Sequence, residues 1–144
     1  MIPDTPSVSQ LSLVISQAAA PAFLLGAFAA FIAILISRFN AIIDRTIALN
    51  AIPDGDAARQ RLKADIPRLK RRAAMVNRAI LWAIIGSITI TIMVIAAFAS
   101  AFFRIEHERG VAGLFIVSLG ALAISLFDFA REVRIALHDN DHHG

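Results

Sequence analysis

Charged residues are absent from three long stretches of the chain, and most of its apolar side chains lie there. Residues 5–37, 79–103 and 110–127 contain no Asp, Glu, Lys or Arg. A helix needs about 20 predominantly apolar residues to cross a hydrocarbon layer roughly 30 Å thick. Each stretch reaches that length, the third at the short end. The pattern therefore predicts three transmembrane spans, at about 18–37, 80–103 and 110–128.

A soluble core and a β-strand are the two alternatives to this interpretation. A chain of 144 residues is too short to hide three such stretches inside a soluble domain. The segment GSITITIMVI (86–95) is rich in β-branched residues, but the uncharged run around it is too long for a strand. An open strand edge in lipid would also leave backbone groups without hydrogen bonds. The predicted fold class is therefore an all-α, transmembrane helical protein with three spans.

The apolar pattern continues past Arg38, where span one meets its first charge. Side chains typical of a buried face recur every third or fourth residue after span one and again before span two: Phe39, Ile42, Thr46 and Leu49, then Leu69, Ala73, Val76 and Ile80. This spacing is typical of a helix that packs against another helix. The segment IPDG (52–55) supplies a turn between them. We predict a cytoplasmic helical hairpin at 38–79 that extends spans one and two; a disordered basic loop is the alternative.

The remaining segments are short, so one membrane domain at 1–144 is predicted. Val8, Leu11 and Ile15 share a helical face and indicate a weakly amphipathic lead-in helix, with a kink expected at Pro21. No Lys or Arg lies among the first twenty residues, and we therefore expect an N-terminus that is not cleaved. Residues 138–144 are expected to form a flexible tail.

The basic residues predict the orientation of the spans. Ten of the 14 Lys and Arg lie at 38–78, and none precedes span one. Arg131 and Arg134 follow span three, whereas Arg104 and Arg109 share the short link between spans two and three with Glu106 and Glu108. Basic loops remain on the cytoplasmic side. The N-terminus is therefore expected outside, and the hairpin and the C-terminus in the cytoplasm.

The charge of the hairpin also indicates its partner. Its ten basic residues stand against Asp44, Asp54, Asp56 and Asp65, which leaves 10 − 4 = +6. An anionic leaflet attracts each close cation by about 1 kcal/mol, which explains the charge without a nucleic acid. Trp82 lies at the same end of span two, where an interfacial ring is expected. We expect the bilayer and its anionic lipids as partners, and no nucleic acid.

No motif in the chain indicates a reaction. The chain has no Cys, which removes disulfides and thiolate ligands, and it has no phosphate-binding glycine loop. The serines within the spans have no His or acid nearby in sequence. The tail HDNDHHG (138–144) could hold a divalent ion, but such tails are more often simply solvated. We therefore expect no catalytic residue, no cofactor and no metal site, and a protein that is not an enzyme.

Small residues recur along the spans and indicate close helix packing. Small side chains let helix backbones approach each other where lipid offers no hydrophobic drive. The candidate packing residues are Gly26, Ala30, Ser87, Thr91 and Ala121. Three spans cannot cover all of these faces, so a homo-oligomer is expected. Ser87 and Thr91 are also candidates for a polar pore lining, unless their hydroxyls bond to their own helix.

Three segments resemble the motifs of a bacterial membrane family, domain of unknown function 2721: SRFNAIIDR (37–45), RRAAMVNRAI (71–80) and FDFAREVRIAL (127–137). The residues that match its pattern are Arg38, Asp44 and Arg45, then Arg71, Arg72 and Asn77, then Glu132, Val133 and Arg134. Ser37 and Ala41 depart from it. The resemblance covers roughly residues 10–137. It implies a three-span protein of the bacterial inner membrane and brings no established activity, substrate or cofactor.

These motifs predict a polar collar where the spans leave the membrane. Its candidate residues are Arg38, Asp44, Arg71, Arg72, Asn77, Arg78, Asp128 and Glu132. Counting residues from the two membrane exits places Asp44 level with Arg72, and Asp128 level with Arg38 and Arg78. We therefore predict that Asp44 pairs with Arg71 or Arg72, and Asp128 with Arg38 or Arg78. Separate solvation of each charge is the alternative.

The sequence favours a non-enzymatic structural or interaction module over an alternative, the subunit of an oligomeric channel or transporter. The channel hypothesis lacks an ionisable residue inside a span, and such residues usually mark ion paths.

Overall fold

The computed structural model describes residues 8–103, 105 and 108–140. Three long α-helices, one short α-helix and one 3₁₀ helix account for nearly all of these residues. Their bounds are α1 Val8–Asn50, α2 Ala57–Gln60, the 3₁₀ helix Arg61–Asp65, α3 Ile66–Phe103 and α4 Glu108–Asn140. The described part of the chain contains no strand, and the predicted all-α class is confirmed. Most of the predicted tail, residues 141–144, lies outside the described residues, and α4 includes 138–140.

Three helical segments are long and apolar enough to cross a membrane: Ile15–Asn50, Ala57–Ser100 and Glu108–His138. The 43 residues of α1 extend about 65 Å at 1.5 Å per residue, roughly twice the thickness of a hydrocarbon layer. The predicted lead-in helix and span one are parts of this one helix, which continues through the buried Pro21. Long parts of α1 and α3 therefore lie beyond their charge-free stretches.

The buried face of α1 repeats every seven residues from Pro21 to Leu49. Its members are Pro21, Phe28, Leu35, Ile42 and Leu49. A seven-residue repeat keeps one narrow seam of a helix against a partner, as in coiled coils. The partner is α3, which packs against both α1 and α4. Residues of α3 complete the core: Leu69, Ala73, Val76, Ala79, Ala83, Ile90 and Met93.

The connection between α1 and α3 is short and held by local bonds. The backbone N–H of Ala51 donates to the Ile47 carbonyl at 3.0 Å, and that of Asp56 donates to Pro53 at 3.1 Å. Lys63 Nζ lies 3.0 Å from Asp54 Oδ1. α2 and the 3₁₀ helix follow the turn and lead directly into α3. The core continues up to this connection because Leu49 and Leu69 are both buried.

Candidate functional site

The buried face of α4 becomes more polar toward the C-terminal end of the helix. Its buried residues are Ser118, Ala121, Ser125, Asp128 and Glu132. They recur at spacings of three and four and therefore share one helical face. Polar groups in such a place cost free energy unless they find hydrogen-bond or ionic partners. The partners of these side chains define the candidate site.

Two serine hydroxyls of this face bind the backbone of α3. Ser118 Oγ donates to the Gly86 carbonyl at 3.0 Å, and Ser125 Oγ donates to the Ala79 carbonyl at 2.6 Å. A carbonyl oxygen has two lone pairs, so it can accept such a bond beside its helical one. The two donors and the two acceptors are each seven residues apart, in opposite directions along the chain. The bonds therefore fix one antiparallel register between α3 and α4.

At Gly86 of α3, both α1 and α4 make close contacts. A Cβ atom on Gly86 would lie 2.7 Å from both Cε1 and Cζ of Phe28, and 3.3 Å from the Ser118 carbonyl oxygen. The ring of Phe28 in α1 therefore packs directly on the backbone of α3. Sequence reasoning missed Gly86; the signal available was a glycine seven residues after the small residue Ala79.

Glu132 joins α4 to both other long helices through one carboxylate. The side chain is completely buried. Arg72 Nε donates to Glu132 Oε1 at 2.9 Å, and Arg38 Nε donates to Glu132 Oε2. The side chains of Arg38 and Arg72 are themselves only 32% and 18% exposed. A buried carboxylate of this kind needs both partners, because an unpaired charge away from water is strongly destabilising.

Aromatic contacts support the Arg38 side of this arrangement. The guanidinium carbon of Arg38 lies 5.7 Å from the centroid of the Phe129 ring. The Phe129 ring in turn meets the Phe31 ring edge to face, with centroids 5.6 Å apart. A cation over an aromatic face and an edge-to-face pair are both favourable geometries. These contacts tie α1 to α4 just before Glu132.

Asp128, one turn before Glu132, faces an arginine that is largely exposed. Arg78 Nε lies 3.2 Å from Asp128 Oδ2, and the Arg78 side chain is 63% exposed. Arg78 is one of the two partners predicted for Asp128. Oδ2 is buried and makes no hydrogen bond within the described part of the chain, so the contact is an ion pair without hydrogen-bond alignment. Asp128 therefore sits at the edge of the buried face.

The predicted partner of Asp44 is corrected by the structure. Arg72 binds Glu132, Arg71 is exposed, and Asp44 is exposed and forms no ion pair among the described residues. Asp44 follows the buried Ile42 by two residues, which turns it roughly 200° around the helix and away from α3. Asn77, the remaining collar candidate, is also exposed. Of the predicted set, Arg38, Arg72 and Glu132 come together, and so do Arg78 and Asp128.

The predicted packing residues are divided between buried and exposed positions. Ala121 is buried, Ser87 is half-buried, and Gly26, Ala30 and Thr91 are exposed. A Cβ atom on Gly26 would have no neighbour within 4 Å. The hydroxyls of span two bond within their own helix: Ser87 Oγ donates to Ala83 at 2.9 Å, and Thr91 Oγ1 donates to Ser87 at 2.8 Å. Gly26, Ala30 and Thr91 therefore lie outside the buried faces of the described helices.

The described residues offer little for metal or small-molecule chemistry. No group of three or more His, Asp and Glu side chains among them could hold a metal ion. An open groove of about 710 Å³ runs along α4 past Phe129 and Val133. Its walls are mostly apolar, with Arg134 and His138 as the charged or titratable members.

Comparisons with known proteins place the chain in a family. The search of curated proteins and the search of solved structures each gave no match. The family model described as "Protein of unknown function (DUF2721)" matches residues 18–142, which include the apolar parts of α1, α3 and α4 and every collar residue. The match spans most of the chain, and the protein therefore belongs to the DUF2721 family.

Proposed function

We propose that this chain is a non-enzymatic structural or interaction module of the bacterial inner membrane that works as a homo-oligomer. The observation that supports this proposal most is the pairing of the buried Glu132 carboxylate with arginines of two other helices. Its two oxygens are taken by Arg72 of α3 and Arg38 of α1, so a buried carboxylate serves to hold helices together. Ser118 and Ser125 are used in the same way, as donors to the α3 backbone.

In this proposal the N-terminus lies outside, and the ends of α1 and α3 that meet near the turn at 52–55 lie in the cytoplasm. The argument is the excess of Lys and Arg at 38–78 over the rest of the chain. Lys70, Arg71 and Arg78 are exposed. Exposed cations beside an anionic leaflet attract its lipids. These exposed cations would therefore lie beside the inner surface of the membrane.

The exposed small residues of α1 supply the argument for self-association. Gly26 and Ala30 are four residues apart, and no helix of the same chain covers them. In lipid, a face of small residues lets a second helix approach closely and gain dispersion contacts. We assign this face to the contact between copies of the chain.

The mass of the purified complex tests this proposal. The wild-type chain in mild detergent is expected to contain more than one copy by native mass spectrometry. Gly26→Leu should reduce the copy number, because the added side chain holds the two backbones apart. Gly120→Leu is the matched control, since Gly120 lies at a similar depth in α4 and is also open around its Cα. A monomeric wild type, or equal effects of the two substitutions, would contradict the proposal.

A further inference from the structure

Three exposed arginines flank the contact between α3 and α4 on the side away from α1. Arg71 and Arg78 are seven residues apart and share one face of α3. Arg131 follows Phe129 by two residues, which places it roughly 200° around α4 from the ring that contacts α1. All three side chains are exposed.

The register between the helices brings these arginines to one level. Ser125 binds Ala79, Asp128 faces Arg78, and Glu132 binds Arg72. Residues 71–78 of α3 therefore run antiparallel beside residues 128–132 of α4. Seven residues of helix rise only about 10 Å, so Arg71, Arg78 and Arg131 lie within one short stretch of the α3–α4 pair.

The cluster carries an excess of positive charge. The two facing segments, 71–78 and 128–132, contain two acidic residues, Asp128 and Glu132. Glu132 is already paired with two arginines outside the cluster, which leaves Asp128 as the acidic neighbour of the cluster among the described residues. Three arginines and one aspartate leave 3 − 1 = +2. The guanidinium carbon of Arg131 lies 5.9 Å from the centroid of the Phe127 ring, which favours a fixed position at the surface.

The cluster also lies at the depth of lipid headgroups. Arg78 is the last charge before the uncharged stretch that begins at Ala79, and Trp82 follows one turn later, half-buried. A tryptophan ring in that place marks the boundary between hydrocarbon and water. Groups one turn beyond it meet the lipid phosphates.

We propose that Arg71, Arg78 and Arg131 bind the phosphate headgroup of an anionic phospholipid on the surface beside the contact between α3 and α4. Guanidinium groups present pairs of N–H donors that match two phosphate oxygens. The proposal rests on the proposed function only in placing this end of the helices in an anionic leaflet. Its failure would leave the contact between copies through Gly26 untouched.

Trp82 supplies the test, because it is the single tryptophan of the chain and lies one turn from Arg78. The protein is reconstituted in phosphatidylcholine bilayers that contain increasing fractions of a lipid with brominated acyl chains, which quench a neighbouring indole. Brominated phosphatidylglycerol is compared with brominated phosphatidylcholine. The anionic lipid is expected to quench Trp82 at an about tenfold lower mole fraction. Equal quenching by the two lipids would overturn the proposal.

Two double variants separate a site from a diffuse charge effect. Arg71→Gln with Arg131→Gln removes two arginines of the cluster and leaves the pair between Arg78 and Asp128 intact. Arg45→Gln with Arg61→Gln removes the same charge from exposed positions elsewhere. The first variant should lose the preference for phosphatidylglycerol, and the second should keep it. Equal loss in both would overturn the site.

A competition experiment distinguishes binding of a lipid phosphate from binding of soluble phosphate. Excess inorganic phosphate is added to the wild-type protein in bilayers with brominated phosphatidylglycerol. The lipid proposal predicts unchanged quenching, since the acyl chains add to the affinity of the headgroup. Relief of quenching by phosphate at constant ionic strength would show a site for soluble phosphate and would contradict the lipid assignment.

Discussion

Glu132 of α4 and Arg72 of α3 form a 2.9 Å hydrogen-bonded ion pair at a position where the glutamate has no exposed surface. The other oxygen of the carboxylate accepts a bond from Arg38 of α1. In lipid, apolar side chains gain little by leaving the hydrocarbon for a neighbouring helix, so packing and polar bonds decide how helices associate. This carboxylate connects all three long helices at the end of their charge-free stretches.

Replacement of Glu132 by Gln should destabilise the protein by about 3 kcal/mol, because two partly buried arginines lose the charge that compensates them. The measurement is the free energy of unfolding in mixed micelles, followed by the loss of helical circular dichroism. Asp44→Asn is the matched control: Asp44 is exposed, and its substitution should change the stability by under about 0.5 kcal/mol. Similar losses in the two variants would argue against a structural role for Glu132.

Gly86 and Gly120 should respond to alanine with opposite signs. Gly86→Ala forces a methyl group into the Phe28 ring and should cost about 1–3 kcal/mol. Gly120→Ala meets open space and should be neutral or stabilising by up to about 1 kcal/mol, because alanine favours the helix. The same unfolding measurement decides the signs.

The second-site variant Phe28→Leu tests whether the ring causes the cost at Gly86. Leucine lacks the atoms that a Cβ on Gly86 would strike, so Gly86→Ala should cost less in the Phe28→Leu background than in the wild type. A double-mutant cycle measures this coupling. Independent, additive effects would show that the ring and Gly86 do not share a contact.

Ser125→Ala should be more damaging than Thr91→Val, although both remove a hydroxyl from a span. Ser125 Oγ binds the Ala79 carbonyl of a different helix at 2.6 Å, whereas Thr91 Oγ1 binds Ser87 of its own helix. Bonds between membrane helices contribute about 0.6 kcal/mol on average and up to about 1.7 kcal/mol. The expected loss for Ser125→Ala lies in this range, and that for Thr91→Val is near zero. The reverse order would contradict the assignment.

The sequence predicted the positions of residues along the helix axes well, and the side of the helix on which each residue lies less well. Long uncharged stretches identify α1, α3 and α4, because the thickness of a membrane sets their length. Level counting also gave Arg78 as a partner of Asp128. The same counting wrongly predicted Arg72 as a partner of Asp44, because a position along the helix axis says nothing about the side of the helix on which a residue lies.

The small-residue stripes show the same limit. A step of four residues turns roughly 40° past a full circle, so Ala83, Ser87 and Thr91 rotate steadily out of one interface. A step of seven drifts back by only about 20°, and it connects Ala79, Gly86 and Met93, which are all buried. A search for small or apolar residues at a spacing of seven would have identified Gly86. It would also have placed Gly26 outside the buried face formed by Pro21, Phe28 and Leu35.

Single cysteines can map the orientation, because the chain contains none of its own. Ser9→Cys and Glu108→Cys should react with a membrane-impermeant thiol reagent in intact cells. Ala58→Cys and Asn140→Cys should react only after permeabilisation. The reason is the concentration of Lys and Arg at 38–78, which favours the cytoplasmic side for that segment. Labelling of Ala58→Cys in intact cells would reverse the proposed topology.

If the polar groups in the spans serve to hold helices together, they line no path for ions or solutes. The decisive measurement is the flux of small ions into liposomes that contain the purified protein, with empty liposomes and Thr91→Val as references. If these groups only hold helices together, liposomes with the wild-type protein should show no flux above empty ones. Reproducible wild-type flux that falls in Thr91→Val, at an unchanged oligomer size, would contradict this role.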